Sequence, residues 1–128
     1  MVKPLQDKEQ SISSVVSRLP STVQEISTFF DKEEFVEKTR QQIEKDLSGL
    51  FLFKPEHKDD ILSSFSEELV SILNQLTDNQ LQQFCYRIDL SEQLMHELSL
   101  NKEDNYELAF HIIKREAQKV FLRTQFKS

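Results

Sequence analysis

The chain has 128 residues, a formal net charge of −6 at pH 7, one glycine and three prolines. One glycine is too few for the tight turns of an all-β protein or for a glycine-rich phosphate-binding loop. A single cysteine, Cys85, cannot form a disulfide or a thiolate zinc site within one chain. Because helix-favouring Glu, Gln, Leu and Lys dominate, we predict an all-α protein. We expect a single domain over residues 1–128, folded as a helical bundle of about five helices.

The N-terminal residues 1–19 are polar and carry few apolar side chains. We expect them to be partly disordered, and they lack an apolar stretch of signal-peptide type. The longest apolar run of the chain, Leu50–Phe53, is far shorter than the roughly 20 residues that cross a bilayer. We therefore expect a cytoplasmic protein with no membrane partner.

Two helix-start patterns follow in the next part of the chain. The first combines Ser21 with Gln24, and the second begins at Asp31. Apolar residues then recur at helical spacing up to Gly49, which is suited to end a helix. The pattern leaves open whether residues 21–47 form one bent helix or two.

The Leu50–Phe53 run is the one strand-like stretch of the sequence. A lone strand would leave its backbone groups without hydrogen-bond partners. We therefore favour an apolar plug that packs across the helices, and a short extended segment is the alternative.

Residues 57–128 are predicted to form a C-terminal helical unit. Its helix starts are indicated by capping residues ahead of apolar runs. These residues are Asp59 or Asp60, Thr77, Asp89 or Ser91, and Asn101. The inner face of the last helix is predicted to carry Tyr106, Ala109, Phe110, Ile113, Ala117, Val120 and Phe121.

The string Tyr86-Arg87-Ile88-Asp89, together with the last helix, is the most distinctive pattern in the chain. Over about residues 60–125 it resembles uncharacterised small helical proteins of Bacteroidetes-type bacteria. The resemblance implies a helical fold and carries no activity. Physically, Tyr86, Arg87 and Asp89 stand at a helix end. We interpret them as a structural polar clamp that fixes the angle between two helices, with a small binding site as the alternative.

The C-terminal end reverses the charge of the rest of the protein. Residues 108–128 contain five Lys/Arg and one acid, whereas residues 57–107 contain three Lys/Arg and eleven acids. Four of the basic residues recur at a spacing of four and form one row along a helix. We call Arg115, Lys119, Arg123 and Lys127 the basic row.

Three apolar residues lie among the basic row on a helical wheel, namely Leu108, Ile112 and Phe126. A helix that is apolar on two sides is usually sandwiched between neighbouring helices or buried in an oligomer. We predict that the row pairs with the protein's own acidic helices or a second copy, or contacts a protein partner. The predicted partner-binding residues are Leu108, Ile112, Arg115, Lys119 and Arg123.

The sequence contains no nucleophile elbow, zinc-protease helix or phosphate loop. We predict no enzymatic activity, no cofactor and no metal, and no small-molecule ligand can be read from the residues. The leading hypothesis is a non-catalytic protein–protein interaction or scaffold module, with a homodimer as one form. One alternative is a nucleic-acid-associated protein that uses the basic C-terminal helix, which the net charge of −6 disfavours. The other is an enzyme with acids in a helical cleft.

Overall fold

The computed structural model describes residues 19–56, 59–99 and 105–126, and within these ranges it consists of helices without a strand. The six helices are α1 (Val23–Phe29), α2 (Glu33–Asp46), α3 (Ile61–Leu73), α4 (Asp78–Ile88), α5 (Glu92–Ser99) and α6 (Tyr106–Gln125). The predicted all-α bundle is confirmed. The expected disorder of the N-terminus and the predicted helix start at Asn101 fall outside the described residues. None of the described helices combines the length and apolar composition needed to cross a membrane.

Several helices start where the sequence predicts. Asp60 caps α3, Thr77 forms a capping box with Gln80 at α4, and the Ser91 hydroxyl accepts from Leu94 N–H. Two starts differ from the prediction. Thr22, rather than Ser21, caps α1, because its hydroxyl accepts from Glu25 N–H while the Glu25 carboxylate accepts from Thr22 N–H. A carboxylate is the stronger acceptor for this role.

The predicted helical region 21–47 forms two helices, separated by residues 30–32. The second of them lacks the predicted cap, because Lys32 rather than Asp31 stands at the N-cap of α2 and makes no side-chain cap. This helix also ends earlier than Gly49 suggests. Its last residue is Asp46, and Ser48 and Gly49 both adopt left-handed backbone angles, with φ of 58° and 80°. The chain therefore leaves the helix axis before Leu50.

Helix α6 lies at the centre of the bundle and packs against α2, α3, α4 and α1. Aromatic rings connect the elements around it. Phe29 of α1 stacks on Phe35 of α2 with ring centroids 4.5 Å apart. Phe65 of α3 meets Phe30 at 5.1 Å and Phe53 at 5.1 Å. Helices α3, α4 and α6 thus share one hydrophobic core with α1 and α2.

The buried face of α6 is wider than the predicted stripe. Ile112 and Ile113 are both completely buried, and the predicted inner residue Tyr106 is mostly exposed. Because α6 has neighbours on several sides, one stripe cannot cover all its contacts. Of the arrangements expected for a helix that is apolar on two sides, the structure has α6 sandwiched between helices of its own chain.

Candidate functional site

The most unusual feature of the described structure is a group of charged and polar side chains between α2 and α6, of which Gln42, Asp46 and Glu116 are buried. We call Gln42, Asp46, Glu116, Lys119 and Arg123 the polar cluster. Gln42 and Asp46 are one turn apart on α2, so both face α6. On α6, the three remaining residues lie three and four positions apart and form one row toward α2.

Asp46 is the centre of the polar cluster. Its Oδ2 accepts from Lys119 Nζ at 3.0 Å and from Gln42 Nε2 at 3.2 Å. Arg123 Nη2 donates to Gln42 Oε1 at 2.7 Å, so the Gln42 amide is hydrogen-bonded to the Arg123 guanidinium on one side and to the Asp46 carboxylate on the other. An acid at the C-terminal end of a helix is disfavoured by the helix dipole. The cations from α6 offset that cost.

Glu116 is the second acid of the polar cluster, and its side chain is 0% exposed. Its Oε1 lies 2.8 Å from Lys119 Nζ, although neither carboxyl oxygen accepts a well-directed hydrogen bond from the described residues. Both carboxyl groups approach the same ammonium group, because Lys119 Nζ lies 2.8 Å from Glu116 Oε1 and 3.0 Å from Asp46 Oδ2. Two carboxylates that share one cation in a buried site repel each other, so a proton on one of them is favoured.

The surroundings identify Glu116 as the protonated member of this pair. Burial and the neighbouring Asp46 carboxyl group raise the pKa of Glu116 to about 9, against the opposing effect of Lys119. Burial also disfavours ionisation of Asp46. The neighbouring Glu116, Lys119 and Gln42 outweigh that effect and lower the Asp46 pKa. At neutral pH the three ionisable groups are therefore a neutral Glu116, an anionic Asp46 and a cationic Lys119.

Arg87 of the predicted polar clamp reaches the same place from α4. Its Nε donates to the backbone carbonyl of Asp46 at 2.7 Å. This carbonyl is at the end of α2, where no intrahelical N–H is available to it. Asp89 takes the left-handed cap position after α4 and accepts from Arg115 Nη2 at 3.1 Å. Tyr86 is 83% exposed, so its place in a clamp stays a prediction.

The predicted partner-binding residues lie in different environments. Ile112 is completely buried and cannot touch a partner in this conformation. The three cations Arg115, Lys119 and Arg123 each contact a residue of the same chain. Leu108 packs against the core while partly exposed. A role of these residues in partner binding stays a prediction, and Lys127 of the basic row lies outside the described residues.

A second notable region follows the left-handed turn at Ser48 and Gly49. We call residues 50–54 the Leu50–Lys54 segment. Phe53 is completely buried and Phe51 packs against the core, whereas Leu50 and Leu52 are 42% and 65% exposed. This alternation is typical of extended backbone. The prediction that this run packs into the core is therefore confirmed for the two phenylalanines and wrong for the two leucines.

Other candidate groups are less organised. Cys85 is buried, and burial raises the pKa of its thiol to about 11, which keeps it unreactive. Among the described residues, no three His, Cys, Asp or Glu side chains stand close enough to hold a metal ion. Two shallow surface grooves lie elsewhere. One is lined by Tyr86 and Arg87 with neighbours on α4, and the other by Phe29 and Phe121 with neighbours on α1.

No protein-family model, curated protein or solved structure matches this chain. The resemblance of the Tyr86–Asp89 string to other small helical proteins therefore stays a prediction.

Sequence reasoning missed the acids of the polar cluster. One signal was present for each of them. Glu116 is an acid between the core residues Ile113 and Ala117, where an apolar residue would ordinarily stand. Asp46 is an acid in the last turn of a helix, against the dipole. Their pairing joins residues 70 positions apart in the sequence, and no local pattern predicts such a contact.

Proposed function

We propose that this chain is a non-catalytic protein–protein interaction or scaffold module that binds through the Leu50–Lys54 segment. The observation that carries the proposal is the outward placement of Leu50 and Leu52 on a segment whose phenylalanines are anchored in the core. Two neighbouring leucines held in water cost free energy, and a partner that covers them recovers it. A fixed anchor also lowers the ordering cost of binding.

The backbone of the segment supports the same proposal. In the described part of the chain, the backbone groups of residues 51–54 take part in one hydrogen bond, from Arg40 Nη1 to the Phe53 carbonyl at 3.1 Å. A partly exposed segment whose main-chain groups have few partners among the described residues can pair with a strand of another protein. The main chain would then supply affinity, and the leucines would supply selectivity.

We infer that the partner contributes an extended strand with apolar side chains at every second position. Such a strand places its apolar side chains beside Leu50 and Leu52. Lys54 is exposed at the end of the segment, and it favours an acidic residue on the partner. A second copy of this chain has the same apolar alternation, but it would bring one positively charged Lys54 toward another. We therefore favour a different protein over a homodimer.

The test is a pair of matched substitutions at exposed apolar residues. Leu52→Asp places a charge on the segment, and the control Val23→Asp places one on α1, where Val23 is 60% exposed. A partner is captured from the native cell and purified, and its affinity is then measured directly with each variant. We expect Leu52→Asp to weaken binding at least tenfold and Val23→Asp to leave it unchanged. Solution mass is measured in parallel.

Three outcomes contradict the proposal. In the first, the purified partner binds both variants equally. In the second, the chain captures no partner and is a monomer. The third is a dimer that Leu52→Asp dissociates, which would assign the segment to self-association instead.

The two alternative functions have less support. A nucleic-acid surface needs free cations, but Arg115, Lys119 and Arg123 are paired within the protein. An enzyme needs acids that substrate can reach. The described acids that meet are Asp46 and Glu116, and their side chains are almost completely buried. We interpret this pair as part of the packing between α2 and α6.

A further inference from the structure

We propose that Asp46 and Glu116 form a proton-dependent lock that holds α6 against α2, with Glu116 carrying the proton. We call these two residues the carboxyl pair. The lock concerns the packing of the helices and is independent of the Leu50–Lys54 segment and its partner.

Charge and burial of the carboxyl pair require this proton. The Asp46 side chain is 11% exposed and that of Glu116 is 0% exposed, with Lys119 beside both. Without a proton, this group of three would carry a net charge of −1 in a site nearly closed to water. With one proton on Glu116 its charge is zero, and Lys119 holds the Asp46 carboxylate of α2 without competition from a second anion. Low-dielectric surroundings favour the neutral arrangement.

The charged groups that face the carboxyl pair come from two helices. Helix α6 contributes Lys119 directly and Arg123 through Gln42. Helix α4 contributes Arg87, which contacts the Asp46 carbonyl rather than its carboxylate.

The remaining packing surfaces add no charge near the pair. Arg115, one turn before Lys119, is directed to Asp89 instead. The buried residues of α1 and α3 are apolar apart from Ser64. The buried thiol of Cys85 on α4 stays protonated because burial raises its pKa. Lys119 is thus the one cation in direct contact with both described acids, and a single proton neutralises the charge that it leaves unbalanced.

The position of the proton couples folding to pH. The pKa of Glu116 is about 9 in the folded protein, against an ordinary value of 4.5. Between these values the folded state holds a proton that the unfolded state releases. The folding equilibrium constant must therefore fall as pH rises, by about tenfold per pH unit for one proton. The contribution of Asp46, whose pKa is lowered, is lost only at acid pH, outside this window.

The experiment compares urea unfolding of the full chain at pH values from 6 to 9. Glu116→Gln replaces the ionisable carboxyl group by an amide that stays neutral at every pH. The matched control is Glu107→Gln, an exposed acid on the same helix. We expect the folding constant of the wild type to fall about tenfold per pH unit relative to Glu116→Gln. The Glu107→Gln variant should follow the wild type.

Carbon-13 NMR of the glutamate carboxyl carbons tests the same proton without a substitution, and it decides the matter if Glu116→Gln does not fold. We expect one glutamate carboxyl to titrate near pH 9. The proposal is overturned if all glutamates titrate in the acid range. It is also overturned if Glu116→Gln folds with the same pH dependence as the wild type.

Discussion

The polar cluster and the Leu50–Lys54 segment reverse the usual distribution of residues between core and surface. In the polar cluster, Glu116 is completely buried and Asp46 is 8% exposed. In the segment, which begins four residues after Asp46, Leu50 and Leu52 are exposed. An acid, Asp46, therefore lies inside and two leucines lie outside within a few residues of chain.

The difference between the two regions shows what decides whether a side chain is buried at these positions. It is the local contacts and backbone geometry, rather than the polarity of the residue. The acids are tolerated because Lys119, Gln42 and a shared proton satisfy them. The leucines are exposed because the left-handed turn at Ser48 and Gly49 ends the helical register. Beyond it the side chains from Leu50 to Phe53 alternate between the surface and the core.

The largest expected effect comes from the anchor of the segment. Phe53→Ala removes a completely buried ring that packs against Phe65. We expect the free energy of unfolding to fall by about 4 kcal/mol, because the ring leaves a cavity in a close-packed core. Urea unfolding measures it. The neighbouring change Leu52→Ala serves as the control and should cost less than ~0.5 kcal/mol. Equal losses for both would mean that the alternation of inward and outward residues is wrong.

The next effect tests the polar cluster. Lys119→Met keeps the apolar stem and removes the cation that lies 3.0 Å from Asp46. We expect a loss of about 3 kcal/mol in the free energy of unfolding, because the buried Asp46 charge loses its counter-ion. The control Lys114→Met changes a lysine of the same helix that is outside the cluster and should have little effect. If both variants were equally stable in urea, the cluster would not contribute to stability through charge.

Local features of the fold were predictable from the sequence. The all-α class follows from composition, and the caps at Asp60 and Thr77 follow from short-range hydrogen bonding. The end of α2 was less predictable. Ser48 adopts a left-handed conformation that residues other than glycine rarely take. The sequence pattern therefore placed the end of α2 at Gly49, three residues after its last residue, Asp46.

The sites depend on contacts between distant parts of the chain, which explains why the sequence predicted little of them. The charge of the basic row was visible. Its partners were not, because Asp46 and Gln42 come from α2, more than 70 residues away. Ile112 was assigned to a second face because a single-helix wheel assumes one core direction. In the structure α6 has neighbours on several sides.

The smallest expected effect tests what a buried polar group costs when it has no hydrogen-bond partner. Thr39 lies on α2, two turns before Asp46, and is completely buried, yet its hydroxyl makes no hydrogen bond with any described residue. Valine has nearly the same shape and no hydroxyl to desolvate. We therefore expect Thr39→Val to raise the free energy of unfolding by about 1 kcal/mol, measured by urea unfolding against Thr28→Val, an exposed threonine on α1.

The outcome of Thr39→Val distinguishes two explanations of why polar groups are buried on α2. If the protein gains stability, an unsatisfied polar group on this helix is costly, and the acids of the polar cluster persist because they are satisfied. A loss of stability would mean that the Thr39 hydroxyl has a partner, such as a buried water. Buried polar groups on α2 would then have hydrogen-bond partners from Asp46 as far as Thr39. The contact between α2 and α6 would depend on polar groups over a longer stretch than the polar cluster.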